Sequence, residues 1–173
     1  VYVLFLNPAT GGASEIDVQG NNVSIADGDT TPSVADHTDF GAAAIVGQTV
    51  PRTFTIRNTG SANLNLTGTP KIALSGPHAA DFSVSVQPDS VVATGGNTTI
   101  TVVFDPSAIG TRSAMLSIAN DDADENPYDF AIQGIGAAPD IDILGNGVSI
   151  ADGDVTPSAA DHTEFGSTDV ASG

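Results

Sequence analysis

The chain reads as an all-β protein, an antiparallel β-sandwich, and three observations predict it. Apolar residues alternate with polar ones over short runs, as they do when one face of a strand is buried and the other is wet. The runs are rich in Val, Ile, Thr and Phe, the residues that fit a pleated surface. Each run ends in turn chemistry, and the chain holds 19 Gly and 10 Pro to supply it. No stretch carries the 3.6-residue period of an amphipathic helix.

The strands follow in order. "RTFTIRN" (52–58) sets Phe54 and Ile56 on one face and Thr53, Thr55 and Arg57 on the other. "LNL" and "KIAL" come next across the turn "TGTP". "DFSVSV" aligns Phe82, Val84 and Val86; "TTITVVF" aligns Ile100, Val102 and Phe104. "SAMLSI" offers Leu116 and Ile118, and "YDFAIQG" offers Tyr128, Phe130 and Ile132. Between them lie "NTGSAN", "SGPHAA", "QPDS", "TGGN", "DPSAIG" and "NDDADENP", all turn or loop sequences.

The chain also repeats itself. Residues 16–41 and 141–166 match at 20 of 26 positions with a constant offset of 125 residues. The differences are mild: Val18/Ile143, Gln19/Leu144, Asn22/Gly147, Thr30/Val155, Val34/Ala159 and Asp39/Glu164. That period suits a whole repeated domain and exceeds the ~20–50 residues of a solenoid unit. The expected organisation is an N-terminal extension over 1–14, one sandwich repeat over 15–138, and the opening of a second, incomplete repeat over 139–173. The duplicated segment itself reads as a joint between sandwich units.

Charge excludes some functions. With 21 acidic against 4 basic residues the net charge is −17. Such a surface repels nucleic acid phosphates and anionic membranes. There is no cysteine, so disulfides, thiolate nucleophiles and Cys-type zinc sites are excluded together. The apolar run Val1–Leu6 is far too short to span a bilayer. No membrane insertion is expected.

The stretches "FTIRNTGSANLNL", "SGPHAADFSV" and "TTITVVFDPSAIGTRSAMLSIANDDADENPYDFAIQGIG", with the duplicated "GNGVSIADGD" segment, resemble the choice-of-anchor D repeats of large bacterial surface proteins. More distantly they are similar to the Hydin-type, major-sperm-protein-like immunoglobulin domains. The resemblance covers about residues 15–166, and its most specific part is the run from "FDP" to "NDD". It implies an immunoglobulin-like β-sandwich, in tandem, on secreted or cell-surface proteins, and it implies no catalytic residues.

The acidic repeat is the first candidate for chemistry. Asp27, Asp29, Asp36 and Asp39, with their equivalents Asp152, Asp154, Asp161 and Glu164, are candidate calcium ligands, because hard cations take several oxygens at one point. The spacing is not that of an EF-hand, and the competing reading is a set of Asx turns capping their own backbone. Asp121, Asp122, Asp124 and Glu125 in "NDDADENP" form a second acidic group, expected as an exposed hairpin loop. The pair Asp36-His37 with Ser33 is a weak triad candidate: adjacent residues of an extended segment point to opposite sides, and no G-x-S-x-G elbow is present. His78 is expected in a loop. Asn22, Asn65 and Asn97 head N-x-S/T sequons and are candidate glycosylation sites.

Two groups of apolar residues have no place in the sandwich and are expected in assembly. Val1, Tyr2, Val3, Leu4, Phe5 and Leu6 form an orphan strand suited to β-augmentation. Ile141, Ile143, Val148, Ile150 and Phe165 belong to the incomplete repeat. The expected function is therefore structural: a segment of a bacterial extracellular filament or repetitive surface protein, pairing head to tail with copies of itself. The alternatives are an adhesin stalk, a carbohydrate-binding module, or a spacer of a larger secreted enzyme. The chain itself is expected not to be an enzyme.

Overall fold

Alternation decides the first strands. In β4 (Val50–Asn58) Phe54 and Ile56 are buried while Arg57 between them and Asn58 is exposed. β4 is the third strand of a five-stranded sheet ordered β2-β1-β4-β9-β7. Its neighbours are β1 (Ile16–Gly20) and β9 (Asn97–Phe104), and the edges are β2 (Val23–Ile25) and β7 (Phe82–Val86). The computed structural model describes residues 12–167.

The second sheet runs β3-β11-β10-β6, with β3 spanning Asp39–Ala44, β6 Ile72–Ser75, β10 Gly110–Ile118 and β11 Tyr128–Ala137. A small pair, β5 (Leu64–Asn65) with β8 (Val91–Val92), closes one end. One 3-10 turn, Ala79–Asp81, precedes β7.

All the pairings just named are antiparallel but one. β3 lies parallel to β11, from Gln133 opposite Asp39 to Ala137 opposite Ala44. Alternation cannot announce this, because parallel pairing depends on a distant partner rather than on a hairpin turn. The register shifts between Gln133 and Ile135.

The two sheets enclose a single apolar cluster. Five phenylalanines occupy its centre. Phe40 stands edge-on to Phe82 at 5.5 Å, Phe54 meets Phe130 at 5.6 Å, and Phe82 stacks on Phe104 at 4.9 Å. Offset and edge-on aromatic pairs at such separations add to the area they bury. One expected core residue is not there. Val86 is 47% exposed, because a register shift between Val84 and Val86 turns the end of β7 outward.

The chain divides between Ala138 and Pro139 into two compact units. Within the second, β12 (Ile143–Gly145) and β13 (Val148–Ile150) form an antiparallel hairpin. The segment Val1–Leu6 lies outside the described residues. No helix among those described is long and apolar enough to cross a membrane.

Candidate functional site

The duplicated segment takes one conformation twice. In the first copy the hairpin register is Val18↔Ile25, Gln19↔Ser24 and Gly20↔Val23; in the second it is Ile143↔Ile150, Leu144↔Ser149 and Gly145↔Val148. Both turn residues have positive φ in each copy: Asn21 and Asn22 at 50° and 62°, Asn146 and Gly147 at 50° and 76°. Asn and Gly are the residues that enter the left-handed region at least cost. The turn is then pinned by its asparagine amide, which donates to Ala35 O at 3.0 Å in one copy and to Ala160 O at 3.1 Å in the other.

The downstream loop repeats in the same detail. Asp29 accepts from the Thr31 amide at 2.8 Å, as Asp154 does from Thr156. Asp36 accepts from the Thr38 amide at 3.0 Å, as Asp161 does from Thr163. The Thr38 hydroxyl accepts from Ser33 N at 2.7 Å, and that of Thr163 from Ser158 N at 2.8 Å. These are Asx turns, in which a carboxylate caps its own backbone. The threonine hydrogen bonds hold the carboxyls of Asp29, Asp154 and Asp161 below the usual range.

The carboxylates therefore serve local geometry. Asp27 accepts from the Asp129 amide, and Asp39 from Gly41 N and the Gln133 side chain. The structure does not gather Asp27, Asp29, Asp36 and Asp39 around one point, nor Asp152, Asp154, Asp161 and Glu164. Among the described residues, the acidic trio whose oxygens lie within reach of one ion is Glu15, Asp122 and Asp124.

What differs between the copies is cover. In the first, Ile16, Val18, Ile25 and Phe40 are between 0 and 3% exposed. β1 pairs with β4, and the loop docks on β11: Gly28 N donates to Asp129 O and Ala131 N to Asp29 O, each at 2.7 Å. The Tyr128 hydroxyl, its pKa pushed up to about 12 first by burial and then by Glu125, donates to Ile25 O. The first copy is thus no joint between sandwiches. It supplies two strands and a crossover of the sandwich itself. In the second, Ile141 is 82% exposed, Ile143 57% and Phe165 92%, and Ile150 is half-buried, whereas Val148 at 44% matches its equivalent Val23 at 43%.

The loop "NDDADENP" is also more than a solvated hairpin. Asp122 is 3% exposed and accepts from Ile16 N at 2.9 Å, which clamps the start of β1. Asp121 accepts from Asn65 N at 2.7 Å and from its side-chain amide. Asn65 is thereby engaged through the nitrogen a glycan would need, whereas Asn22 and Asn97 are exposed. Burial first, then the charges of Glu15, Asp122, Asp27 and Asp124, push the Glu125 carboxyl up.

Some structural residues carried no signal in the sequence. Asp81, 3% exposed, accepts from the Arg112 guanidinium and from Ser107 N. Buried Asn58 donates to Ala62 O and Val92 O and accepts from Gly60 N. Asn120 does the same for its own loop, through Ile118 O, Glu125 O and Asp122 N. His78 accepts from Ser113 N at 3.0 Å through Nδ1, and so ties its loop to β10. His37 has φ 68°, and its Nδ1 is shielded and without a partner; Asp36 is committed to Thr38 instead. The triad candidate therefore lacks the hydrogen bond that would orient its histidine.

Residues 33–135 match the HYDIN/CFA65/VesB-like, Ig-like domain family, more than half of the chain. The chain belongs to that family. No curated protein matches it. Among solved structures, this Ig-like chain is similar to a Porphyromonas gingivalis W83 protein of unknown function, at 17% identity and TM-score 0.52 over 76% of this chain. It spans 50% of that protein's length, and the likeness is one of fold. The Vibrio cholerae VesB protease aligns at 16% identity and TM-score 0.43, over 70% of this chain and 31% of the protease. The secreted serine protease VesC from Vibrio cholerae aligns at 19% and 0.45, over 58% and 22%.

Proposed function

We propose that this Ig-like chain is a structural segment of a bacterial extracellular repetitive protein, of the choice-of-anchor D kind, with no catalytic role. Successive sandwiches are linked end to end by strand pairing. One observation carries the reading: a segment folded in the same way twice is buried in a sandwich once and bare once. A bare apolar hairpin of that kind marks an interaction surface. Val1–Leu6 supplies a second strand for pairing with copies of the chain. A net charge of −17 suits an extracellular surface that stays soluble at high local density.

A spacer beside a catalytic domain is the second reading, favoured by the VesB-like membership of the family. Sugar binding is disfavoured. It rests as a rule on exposed Trp and Tyr faces, yet the chain has no Trp and, of its two Tyr, Tyr128 is 3% exposed and Tyr2 lies outside the described residues.

The test is light scattering on the chain with and without residues 1–7, each with and without chelator. Head-to-tail assembly predicts concentration-dependent polymer that the deletion abolishes, while the far-UV circular dichroism of the sandwich is kept. A wild-type chain that stays monomeric throughout would sink the assembly reading and leave the spacer. Polymer indifferent to chelator removes calcium from the junction.

A further inference from the structure

We propose that residues 139–167 are a preformed first segment of another sandwich, and that their occupant is a sandwich body of this chain's own type, the part spanned here by residues 42–138. This deepens the assembly reading above and rests on it. The first copy shows what covers such a segment. β4 lies beside it in the register Asp17↔Arg57, Val18↔Ile56 and Gln19↔Thr55, and β11 receives its loop.

Each group that docks the first copy recurs in the second. Ile16, Ile25 and Phe40 are repeated as Ile141, Ile150 and Phe165, and Val18 becomes Ile143, larger by one methylene. Asp27, whose carboxylate takes the Asp129 amide at 2.7 Å, recurs as Asp152. Asp39, which accepts from Gln133 at 2.9 Å, recurs as Glu164 with the same charge. Asp17, which pairs with Arg57 of β4 at 3.7 Å, recurs as Asp142. The remaining docking hydrogen bonds use backbone atoms of the segment, as at Gly28, Asp29 and Thr38, and any sequence with this conformation can make them.

The conformation is already present in the free segment. Besides the turn and loop bonds, the close approach of strand to loop is kept: a Cβ on Gly20 would meet Asp36 O at 1.7 Å, and one on Gly145 would meet Asp161 O at 1.5 Å. A segment that is ordered before it docks loses little conformational entropy on docking. The first segment fills the body formed by residues 42–138. The second fits a further body of the same type.

The chain has no cysteine, so docking can be trapped by disulfides placed from the register. An acceptor chain carries Val18→Asp and Ile143→Asp, which disable both of its own segments, together with Arg57→Cys. A donor chain, otherwise unaltered, carries Asp142→Cys. The two are refolded together and oxidised. A donor–acceptor disulfide is expected, with the acceptor kept soluble by the donor. The donor Leu144→Cys is expected to link to an acceptor bearing Thr55→Cys in place of Arg57→Cys, and to lose the link with Arg57→Cys. A donor that also carries Ile143→Asp loses every link. Absence of the in-register disulfide, linking that ignores register, or an acceptor that precipitates equally with and without donor each overturns the proposal. The wild-type chain's own polymerisation is read separately by scattering, so a polymer without in-register links refutes this docking while leaving assembly standing.

Discussion

Asp81 and Glu125 show how the same side-chain chemistry takes opposite signs in one fold. Burial alone would push Asp81 up, but hydrogen bonds from Arg112 and Ser107 outweigh it and hold the carboxyl below the usual range. A lowered carboxyl gives stability that is complete above the ordinary aspartate range and is lost as pH falls through the folded value. Asp81→Asn is therefore expected to cost ~2–3 kcal/mol near neutrality, the scale of a charged hydrogen bond, and less in acid. Urea melts across pH check it; a cost that grows in acid would contradict the pairing. Glu125 is raised, by burial first and then by Glu15, Asp122, Asp27 and Asp124. Its folded form keeps a proton that the unfolded chain has released, so its contribution falls as pH rises through the ordinary glutamate range and just above. Glu125→Gln should stabilise the chain at neutral pH and flatten that part of the melting profile.

The duplicated hairpins are a controlled comparison of one element in two surroundings. In each, a glycine sits where a carbonyl presses on the strand, Asp36 O over Gly20 and Asp161 O over Gly145. Adding a methyl group at such a site forces the loop away. Where the loop also docks on β11 through Asp29 and Gly28, the displacement breaks tertiary bonds; in the hairpin of β12 and β13, where the loop is held by Asn146 on Ala160 O, it breaks local ones. Gly20→Ala is expected to lower the unfolding midpoint of the sandwich through a destabilisation of ~2 kcal/mol, within the range for overpacking. Gly145→Ala is expected to leave that midpoint unchanged. Equal effects in calorimetry would mean that the two segments do not differ in cover.

A charge of −17 on 173 residues sets the behaviour of the whole molecule. Self-repulsion opposes both the compact state and the approach of another copy. Salt shortens the reach of these charges from ~30 Å at 0.01 M to ~8 Å at 0.15 M. Thermal stability and light-scattering mass are both expected to rise over that interval. An apolar junction formed by Ile141, Ile143 and Phe165 would persist at higher salt, whereas one held by ion pairs would weaken. Loss of polymer at high salt would point away from the hairpin face.

The residues themselves settled much of this. Alternation in "RTFTIRN", "TTITVVF" and "YDFAIQG" placed β4, β9 and β11 and their buried faces, because a strand's period is a local property. The repeat at an offset of 125 residues marked the segment that proves to be folded twice, because its Asx turns and positive-φ Asn and Gly positions are also local. Three things waited for the tertiary structure. The parallel placement of β3 on β11, the burial of Asp81 against Arg112, and the clamp of Asp122 on Ile16 each join residues far apart in the chain. So does the contrast that matters most, Val18 fully buried and Ile143 exposed. Two segments of nearly one sequence fold alike, and whether each is core or surface depends on what the rest of the chain lays against it.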